Sequence, residues 1–191
     1  MAFDFHKTEI EGVTIISPHT YPDERGVYKK NYEKKIFAEN GIICTFNECS
    51  DLYSRKGALR GLHYQTMNSQ AKLIHVIKGS LFDVALDLRV NSSTFGKYHT
   101  ELLSENDNKV IFIPEGFAHG FISLTDDTIF SYQCSGSYVP SACGGIRWDD
   151  PELNIPWPLK EYGVDHVIVT EKDSNWPTLS EYINMIKENE R

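Results

Sequence analysis

Residues 71–90 read AKLIHVIKGSLFDVALDLRV, and this stretch decides the fold. In the strand predicted over residues 81–90, the apolar residues 82, 84, 86 and 88 alternate with Asp83, Ala85, Asp87 and Arg89. This period of two is that of a β-strand with one apolar face and one polar face. A turn sequence, Lys-Gly-Ser at 78–80, separates it from a second predicted strand at 71–77, so the two are expected to form a hairpin.

Short strand-like segments continue on both sides of this hairpin, from about residue 45 to residue 138. Further strands are predicted over 110–113, 117–124 and 128–134, with Pro, Gly and Asp-Asp turn signals between them. So many short strands indicate a mainly β protein, an antiparallel barrel or sandwich. Residues 31–40 and the segment from about residue 180 are predicted to form peripheral helices.

The composition argues against several classes of function. A formal net charge of −8 and a pI near 5.3 argue against binding to nucleic acid or to an anionic membrane, which needs basic patches. No apolar run reaches the roughly 18 residues of a membrane span, and the N-terminus lacks a signal-peptide pattern. We expect a cytoplasmic protein with one domain over 1–191, its barrel at about 45–140 and a peripheral segment and helix at about 141–191.

The cysteines predict free thiols. None of Cys44, Cys49, Cys134 and Cys143 forms a C-x-x-C pair, which argues against a zinc ribbon or a thioredoxin-like motif. In a reducing compartment, small buried residues are a better interpretation than disulfides.

Two segments place histidines among strand-like residues bounded by glycine. Residues 60–65 (RGLHYQ) contain Arg60 and His63, and residues 113–120 (IPEGFAHG) contain His119. A histidine titrates near neutral pH, and an arginine holds phosphate through a fork of donors. These segments therefore predict a half-buried cavity that binds an anion and moves a proton. The competing interpretation is that both histidines are ordinary core residues.

A metal site is not expected. Pro114, Gly116 and His119 match the second half of the metal-cupin signature, but the first half needs H-x-H followed by a glutamate. Here residues 63–65 offer one imidazole, and residues 66–70 contain no carboxylate. One or two histidines do not make a catalytic metal site.

A cavity with His, Lys, Tyr and Asp but no metal suits proton abstraction next to a carbonyl group. A neutral histidine serves as the base, a carboxylate fixes its tautomer, and a lysine stabilises the enolate oxygen. A tyrosine can return a proton from the opposite face, which inverts the carbon. Alternatively, Asp83 and Asp87 form a solvated strand face and Tyr132 is a core aromatic.

Four stretches closely resemble the dTDP-4-dehydrorhamnose 3,5-epimerase family: 57–65 (GALRGLHYQ), 83–89 (DVALDLR), 114–121 (PEGFAHGF) and 145–151 (GIRWDDP). Residues 23–26 (DERG) and 171–173 (EKD) also fit, so the resemblance covers nearly the whole chain. It implies a metal-free cupin-type β-barrel or jelly roll with a few peripheral helices, in a homodimer with swapped N-terminal strands. The implied reaction is epimerisation of a nucleotide-linked 4-keto-6-deoxyhexose at C3 and C5, without a cofactor. The default substrate is dTDP-4-dehydro-6-deoxy-D-glucose.

Site residues follow from the same resemblance, position by position. It implies that His63 is the base, Asp173 its orienting carboxylate, Tyr132 the acid and Lys72 the partner of the ketone oxygen, with Asp83 holding Lys72. The implied substrate-binding residues are Arg25, Lys30, Glu48, Ser50, Arg60, Gln65, His119, Tyr138, Cys143 and Lys172.

The chain also departs from the family pattern. Lys30, Glu48, Ser50 and Cys143 stand where the family usually has Glu, Gln, Asn and Glu, and residues 135–136 are Ser-Gly where it usually has Thr-Asp. The proton-transfer residues are all retained, so the chemistry is better defined than the substrate. The alternatives are a 3- or 5-mono-epimerase or a 3,4-ketoisomerase of a different sugar nucleotide, and a non-catalytic sugar-nucleotide-binding cupin.

Overall fold

The computed structural model describes residues 2–189 and confirms the mainly β prediction. The strands in that range are β1 (Phe3–Lys7), β2 (Thr14–Pro18), β3 (Thr20–Asp23), β4 (Gly26–Lys29), β5 (Phe46–Ser54), β6 (Leu59–Gln65), β7 (Lys72–Lys78), β8 (Ser80–Asp87), β9 (Tyr98–Ser104), β10 (Val110–Ile113), β11 (Phe117–Ser123), β12 (Thr128–Ser135) and β13 (Cys143–Gly145). The helices are α1 (Lys34–Glu39), α2 (Glu171–Ser174) and α3 (Leu179–Asn189), with a 3-10 turn at Pro140–Ala142.

The strands form two large antiparallel sheets and a separate hairpin. One sheet has the order β1-β2-β10-β7-β12-β5, and the other has the order β13-β6-β11-β8-β9. In the described part of the chain, strands β3 and β4 pair only with each other. The predicted 71–90 hairpin is divided between the sheets, because β7 belongs to the first and β8 to the second.

The main core lies between the two sheets. Ile74 of β7 and Phe130 of β12 meet Leu81 of β8 and Phe117 of β11 there, and all four are at most 2% exposed. A second apolar cluster covers the outer face of the five-stranded sheet. Sheets packed in this way bury large apolar side chains away from water, which is the main favourable contribution to folding.

Strand β8 shows why the 71–90 stretch is informative. Val84 and Leu86 point outward and pack beneath the C-terminal segment, against Leu179. The acidic side of the strand is buried: Asp83 and Asp87 are both 0% exposed. The solvated-face interpretation of these two aspartates is therefore wrong. The alternation marks a strand that is covered on both faces.

The peripheral helices differ slightly from prediction. Helix α1 begins at Lys34, three residues after the predicted start at 31, and buries Phe37 against the six-stranded sheet. Helix α3 begins with a capping box, in which Glu181 accepts from the Thr178 amide at 2.7 Å and Thr178 Oγ1 accepts from the Glu181 amide at 3.2 Å. The predicted segment from about 180 is confirmed as helical.

The 145–151 motif supports the same helix from the other side. Buried Asp150 accepts a hydrogen bond from the Leu179 amide at 2.6 Å. A carboxylate at a helix N-terminus satisfies a free amide and interacts favourably with the helix dipole. This contact ties α3 to the barrel.

The hairpin β3–β4 projects from this core. Its Tyr21, Val27 and Tyr28 are more than half exposed, at 52%, 65% and 60%. Within residues 2–189, no helix is long and apolar enough to cross a membrane. The single domain over 1–191 stays a prediction, and residues 1, 190 and 191 lie outside the described range.

Candidate active site

A cavity of about 630 Å³ opens between the two sheets. The six-stranded sheet contributes Glu48, Ser50, Leu52, Lys72, Tyr132 and Cys134 to its lining. The five-stranded sheet contributes Arg60, His63, Tyr64, Gln65, His119, Phe121 and Cys143. Gln70, Tyr138, Thr170, Lys172 and Asp173 complete the lining. All four predicted catalytic residues and eight of the ten predicted binding residues are thus in one cavity.

His63 is held by a carboxylate and is open to the cavity. Its Nε2 lies 2.7 Å from Asp173 Oδ1, and its side chain is 37% exposed while that of Asp173 is 6% exposed. A neutral His63 that donates from Nε2 to the carboxylate keeps the lone pair of Nδ1 free. This arrangement can accept a proton at Nδ1 and stabilise the imidazolium that forms.

Asp173 is itself fixed by several donors. The Gly61 amide donates to Oδ2 at 3.3 Å, and the Trp176 indole Nε1 donates to Oδ1 at 3.2 Å. Thr170 Oγ1 caps α2 by accepting from the Asp173 amide at 3.2 Å. Burial alone would raise the pKa of Asp173, but the bonds from His63, Gly61 and Trp176 hold this pKa below its ordinary value. The carboxylate is therefore ionised and ready to orient His63.

Two glycines permit the close approach of strands beside His63. A Cβ on Gly61 would lie 2.5 Å from the Gly120 Cα, and one on Gly120 would lie 2.6 Å from Leu62 Cδ2. Gly61 also has a φ of +122°, which disfavours other residues. The glycines of the 60–65 and 113–120 segments thus place β6 directly against β11.

Lys72 and Tyr132 project from the opposite sheet. Lys72 is 5% exposed and donates from Nζ to the Gln70 carbonyl at 3.3 Å. Burial lowers the pKa of Lys72, whereas Cys134 and Asp83 act to raise it. Burial also raises the pKa of Tyr132 well above its ordinary value. The phenol therefore keeps its proton at neutral pH and can act as a donor.

A second histidine–carboxylate pair lies deeper in the barrel. His119 Nε2 is 2.8 Å from Asp83 Oδ2, and the two side chains are 3% and 0% exposed. The His119 ring also lies against Tyr132, with 5.7 Å between ring centroids. The expected contact of Asp83 with Lys72 is not present among the ion pairs of residues 2–189; Asp83 pairs with His119 instead.

Several predicted binding residues organise the cavity rim. Glu48 accepts from the Tyr138 amide at 2.9 Å, and Gln65 accepts from the Val139 amide at 2.6 Å. Gln65 also donates to the Asn68 carbonyl at 2.8 Å, so both ends of its amide are used within the protein. These bonds position the loop that carries Tyr138.

Arg25 and Lys30 are placed elsewhere. Arg25 lies at the tip of the β3–β4 hairpin with its side chain 84% exposed, and it pairs with Asp23 at 2.6 Å. Lys30 follows the hairpin and pairs with Glu33 at 2.9 Å. Neither residue is among the described residues that line the cavity of this chain.

Some cavity residues were not predicted from the sequence. Tyr64, Gln70 and Thr170 line the cavity, and Trp176 holds Asp173 from outside it. The Thr170-x-x-Asp173 spacing is a helix-capping pattern and could have signalled α2. No local pattern marks Gln70. Over residues 2–189, no group of three or more His, Cys, Asp or Glu side chains is arranged to hold a metal ion.

Comparison with known proteins finds relatives over most of the chain. Residues 7–181 match the family model described as dTDP-4-dehydrorhamnose 3,5-epimerase. The dTDP-4-dehydrorhamnose 3,5-epimerase of Methanothermobacter thermautotrophicus is 46% identical over 179 residues, which cover 94% of this chain and 96% of the relative.

Solved structures agree with this match. The 3,5-epimerase of Legionella pneumophila, in complex with dTDP-4-keto-L-rhamnose, has a TM-score of 0.88 at 38% identity and covers 93% of each chain. A 3'-monoepimerase of Streptomyces bikiniensis, in complex with dTDP-quinovose, has a TM-score of 0.86 at 30% identity and covers 94% of this chain and 90% of that one. Both share the two-sheet fold nearly from end to end.

Proposed function

This chain belongs to the dTDP-4-dehydrorhamnose 3,5-epimerase family, and we propose that it inverts C3 and C5 of a nucleotide-linked 4-keto-6-deoxyhexose by proton transfer next to the ketone. The proposed substrate is dTDP-4-dehydro-6-deoxy-D-glucose, and the product is dTDP-4-dehydro-L-rhamnose. The ketone is already present in this substrate, so the reaction requires no hydride transfer.

His63 begins each inversion as the base. Its Nδ1 removes a proton from a carbon next to the ketone, and Asp173 stabilises the imidazolium through Nε2. The electrons move onto the ketone oxygen, where the Lys72 ammonium stabilises the enolate. Because Lys72 is buried, its charge acts in a medium of low polarity and is more effective than in water.

Tyr132 completes the inversion as the acid. Its phenol returns a proton to the carbon from the side opposite His63. Burial raises the pKa of Tyr132, which keeps the phenol protonated until the enolate forms. The pair of His119 and Asp83 packs beside Tyr132 and shapes that wall of the cavity.

One observation carries the proposal: the base and the acid belong to different sheets and line the same cavity. His63 is on β6 of the five-stranded sheet, and Tyr132 is on β12 of the six-stranded sheet. A hexose between them meets a base on one face and an acid on the other. A module that only binds a sugar nucleotide has no need of this arrangement.

Product analysis by proton NMR tests the reaction. The protein is incubated with dTDP-4-dehydro-6-deoxy-D-glucose, and ring-proton couplings report the configuration at C3 and at C5. We expect both centres to invert. Inversion at one centre alone would establish a mono-epimerase, and an unchanged spectrum would refute the proposed function.

We also propose that the active form is a homodimer in which the β3–β4 hairpin reaches the cavity of the second copy. Arg25 is then a diphosphate contact in the partner's cavity. The exposure of Tyr21, Val27 and Tyr28 on this hairpin supports the proposal, because exposed apolar patches on a projecting element favour association. The place of Arg25 outside the cavity of its own chain is also consistent with it.

Subunit mixing tests this arrangement. Arg25→Ala and His63→Asn proteins are each expected to be nearly inactive alone. If Arg25 acts across the interface, half of the randomly mixed dimers contain one intact cavity, which restores about a quarter of wild-type activity. No recovery after subunit exchange would show that Arg25 does not act in the partner's cavity.

We propose a cytoplasmic location for this reaction. All four cysteines are free in the described structure, and Cys49 is exposed. Free and exposed thiols are typical of a reducing compartment.

A further inference from the structure

Gln70 contains a hydrogen-bond donor without a partner at the cavity wall. The residue is 7% exposed, and its side chain lines the cavity. Its amide nitrogen Nε2 is buried and has no hydrogen-bond partner among residues 2–189. Buried amide groups are nearly always paired in folded proteins, because an unpaired one destabilises the fold. The exception at Gln70 calls for an acceptor that the protein does not provide.

Gln70 lies close to Lys72, at the end of the cavity where the reaction is proposed to occur. Its carbonyl accepts from Lys72 Nζ at 3.3 Å. Gln70 and Lys72 both line the cavity, so Gln70 lies near the ammonium that is proposed to face the ketone.

The neighbouring strand leaves space at this point. The Ser135 amide donates to the Ala71 carbonyl at 2.9 Å, which brings Gly136 beside Gln70. A Cβ placed on Gly136 would lie 3.9 Å from Gln70 Cγ, so a side chain there would contact the amide-bearing chain. Gly136 has no side chain and therefore offers no side-chain acceptor to the Gln70 amide. Two residues later, Tyr138 also lines the cavity, so Gln70, Lys72 and Tyr138 share one cavity.

We propose that Gln70 is a substrate-binding residue whose side-chain amide donates to an acceptor oxygen of the bound sugar nucleotide. This inference rests on the proposed function. Hexose hydroxyl groups and diphosphate oxygens are both acceptors that a sugar nucleotide brings to this wall. Rotation about the Cγ–Cδ bond exchanges the two ends of the amide and turns the donor toward the ligand.

Gln70→Met is the variant that tests the proposal. Methionine has a similar length but cannot donate, and it leaves the backbone carbonyl that holds Lys72 in place. We expect KM to rise about 5- to 10-fold, because a bound oxygen loses its donor, while kcat stays within about twofold. Tm is expected to stay constant or rise, because an unpaired buried donor is removed. A lower Tm with unchanged KM would show that Gln70 serves only the fold and would overturn the proposal.

Gln65→Met is the matched control. The Gln65 amide bonds to Val139, Asn68 and Ser137 within the protein, so its loss should lower Tm. If Gln70→Met does not fold, Gln70→Glu takes its place, since an ionised carboxylate of the same size only accepts. A KM unchanged in Gln70→Glu would equally overturn the proposal.

Calorimetry identifies which oxygen is bound. Wild type and Gln70→Met are titrated with dTDP and with dTDP-quinovose. Weaker binding of dTDP-quinovose alone assigns the contact to the hexose, and weaker binding of both assigns it to the diphosphate. Equal binding of both by the two proteins overturns the inference and leaves the proposed function intact. A wild type without epimerase turnover would overturn both.

Discussion

Two histidine–carboxylate pairs lie on neighbouring strands, and they differ in what the histidine can reach. His63 and His119 are register partners in β6 and β11. Their Nε2 atoms lie 2.7 Å from Asp173 and 2.8 Å from Asp83. The His63 side chain is 37% exposed, however, whereas that of His119 is 3% exposed. The same two residue types thus form a pair that is open to the cavity in one place and a buried pair in the other.

The source of the carboxylate explains the difference. Asp173 comes from α2, in the C-terminal segment, and holds His63 from the side so that the other ring nitrogen stays open. Asp83 comes from β8, which pairs with β11 inside the same sheet, and it is completely buried. Access is therefore decided by which element supplies the carboxylate.

Removing each carboxylate in turn is expected to give the largest difference between the two histidine–carboxylate pairs. Asp173→Asn should lower kcat by roughly 10²- to 10⁴-fold, because an amide neither stabilises the imidazolium nor secures the tautomer. The matched Asp83→Asn should lower kcat by at most about tenfold, since it weakens one hydrogen bond of a wall residue. Steady-state kinetics with both variants checks this. Equal losses in kcat would mean that both pairs take part in proton transfer.

Tyr132→Phe separates the acid from the base. The base remains intact, so exchange of substrate protons with solvent continues while formation of inverted product falls by roughly 10²-fold. Deuterium in recovered substrate and NMR of the product are measured in the same reaction. Undiminished inversion would show that Tyr132 is only a core aromatic packed against His119.

A third buried histidine, His75, is paired with an amide instead of a carboxylate, and its pKa is lowered. His75 is 9% exposed, its Nε2 accepts from Asn31 Nδ2 at 2.9 Å, and burial followed by the charge of Lys29 lowers its pKa from 6.5 to about 4. Between these values the unfolded chain takes up a proton that the folded chain does not. The free energy of unfolding should therefore fall as pH decreases from 6.5 to 4, by up to about 3 kcal/mol.

Denaturant unfolding of wild type and His75→Gln across this pH range measures the effect. Other groups titrate in both proteins, so the difference between the two curves isolates His75. A constant difference from pH 6.5 to 4 would show that the folded state does not depress the His75 pKa.

The sequence predicted the strands of the barrel better than their environment. Alternation in residues 81–90 identified β8, but alternation cannot say what covers each face. Asp83 and Asp87 are buried on one side of the strand, Asp83 against His119, and the C-terminal segment covers Val84 and Leu86 on the other side. That covering depends on contacts between distant parts of the chain, which no local pattern contains.

Family resemblance, carried over by position, predicted residues that the structure brings to one cavity, and their roles stay predictions. His63, Lys72, Tyr132 and Asp173 line one cavity although up to 110 residues separate His63 from Asp173. Gln70 was missed because the feature that singles it out, a buried nitrogen without a partner among residues 2–189, is visible only in a structure. Arg25 was predicted as a site residue, but in one chain it is 84% exposed on a hairpin outside the cavity. Under the proposed dimer, its role depends on a second copy of the chain.

The most direct test of the account is deuterium exchange catalysed by wild type and by His63→Asn in heavy water. Wild type is expected to introduce deuterium at C3 and C5 of dTDP-4-dehydro-6-deoxy-D-glucose. His63→Asn should exchange neither position above the uncatalysed rate, because no other side chain among residues 2–189 that line the cavity combines an open imidazole with a carboxylate partner. Exchange at the wild-type rate in His63→Asn would contradict the central claim that the His63–Asp173 pair is the base.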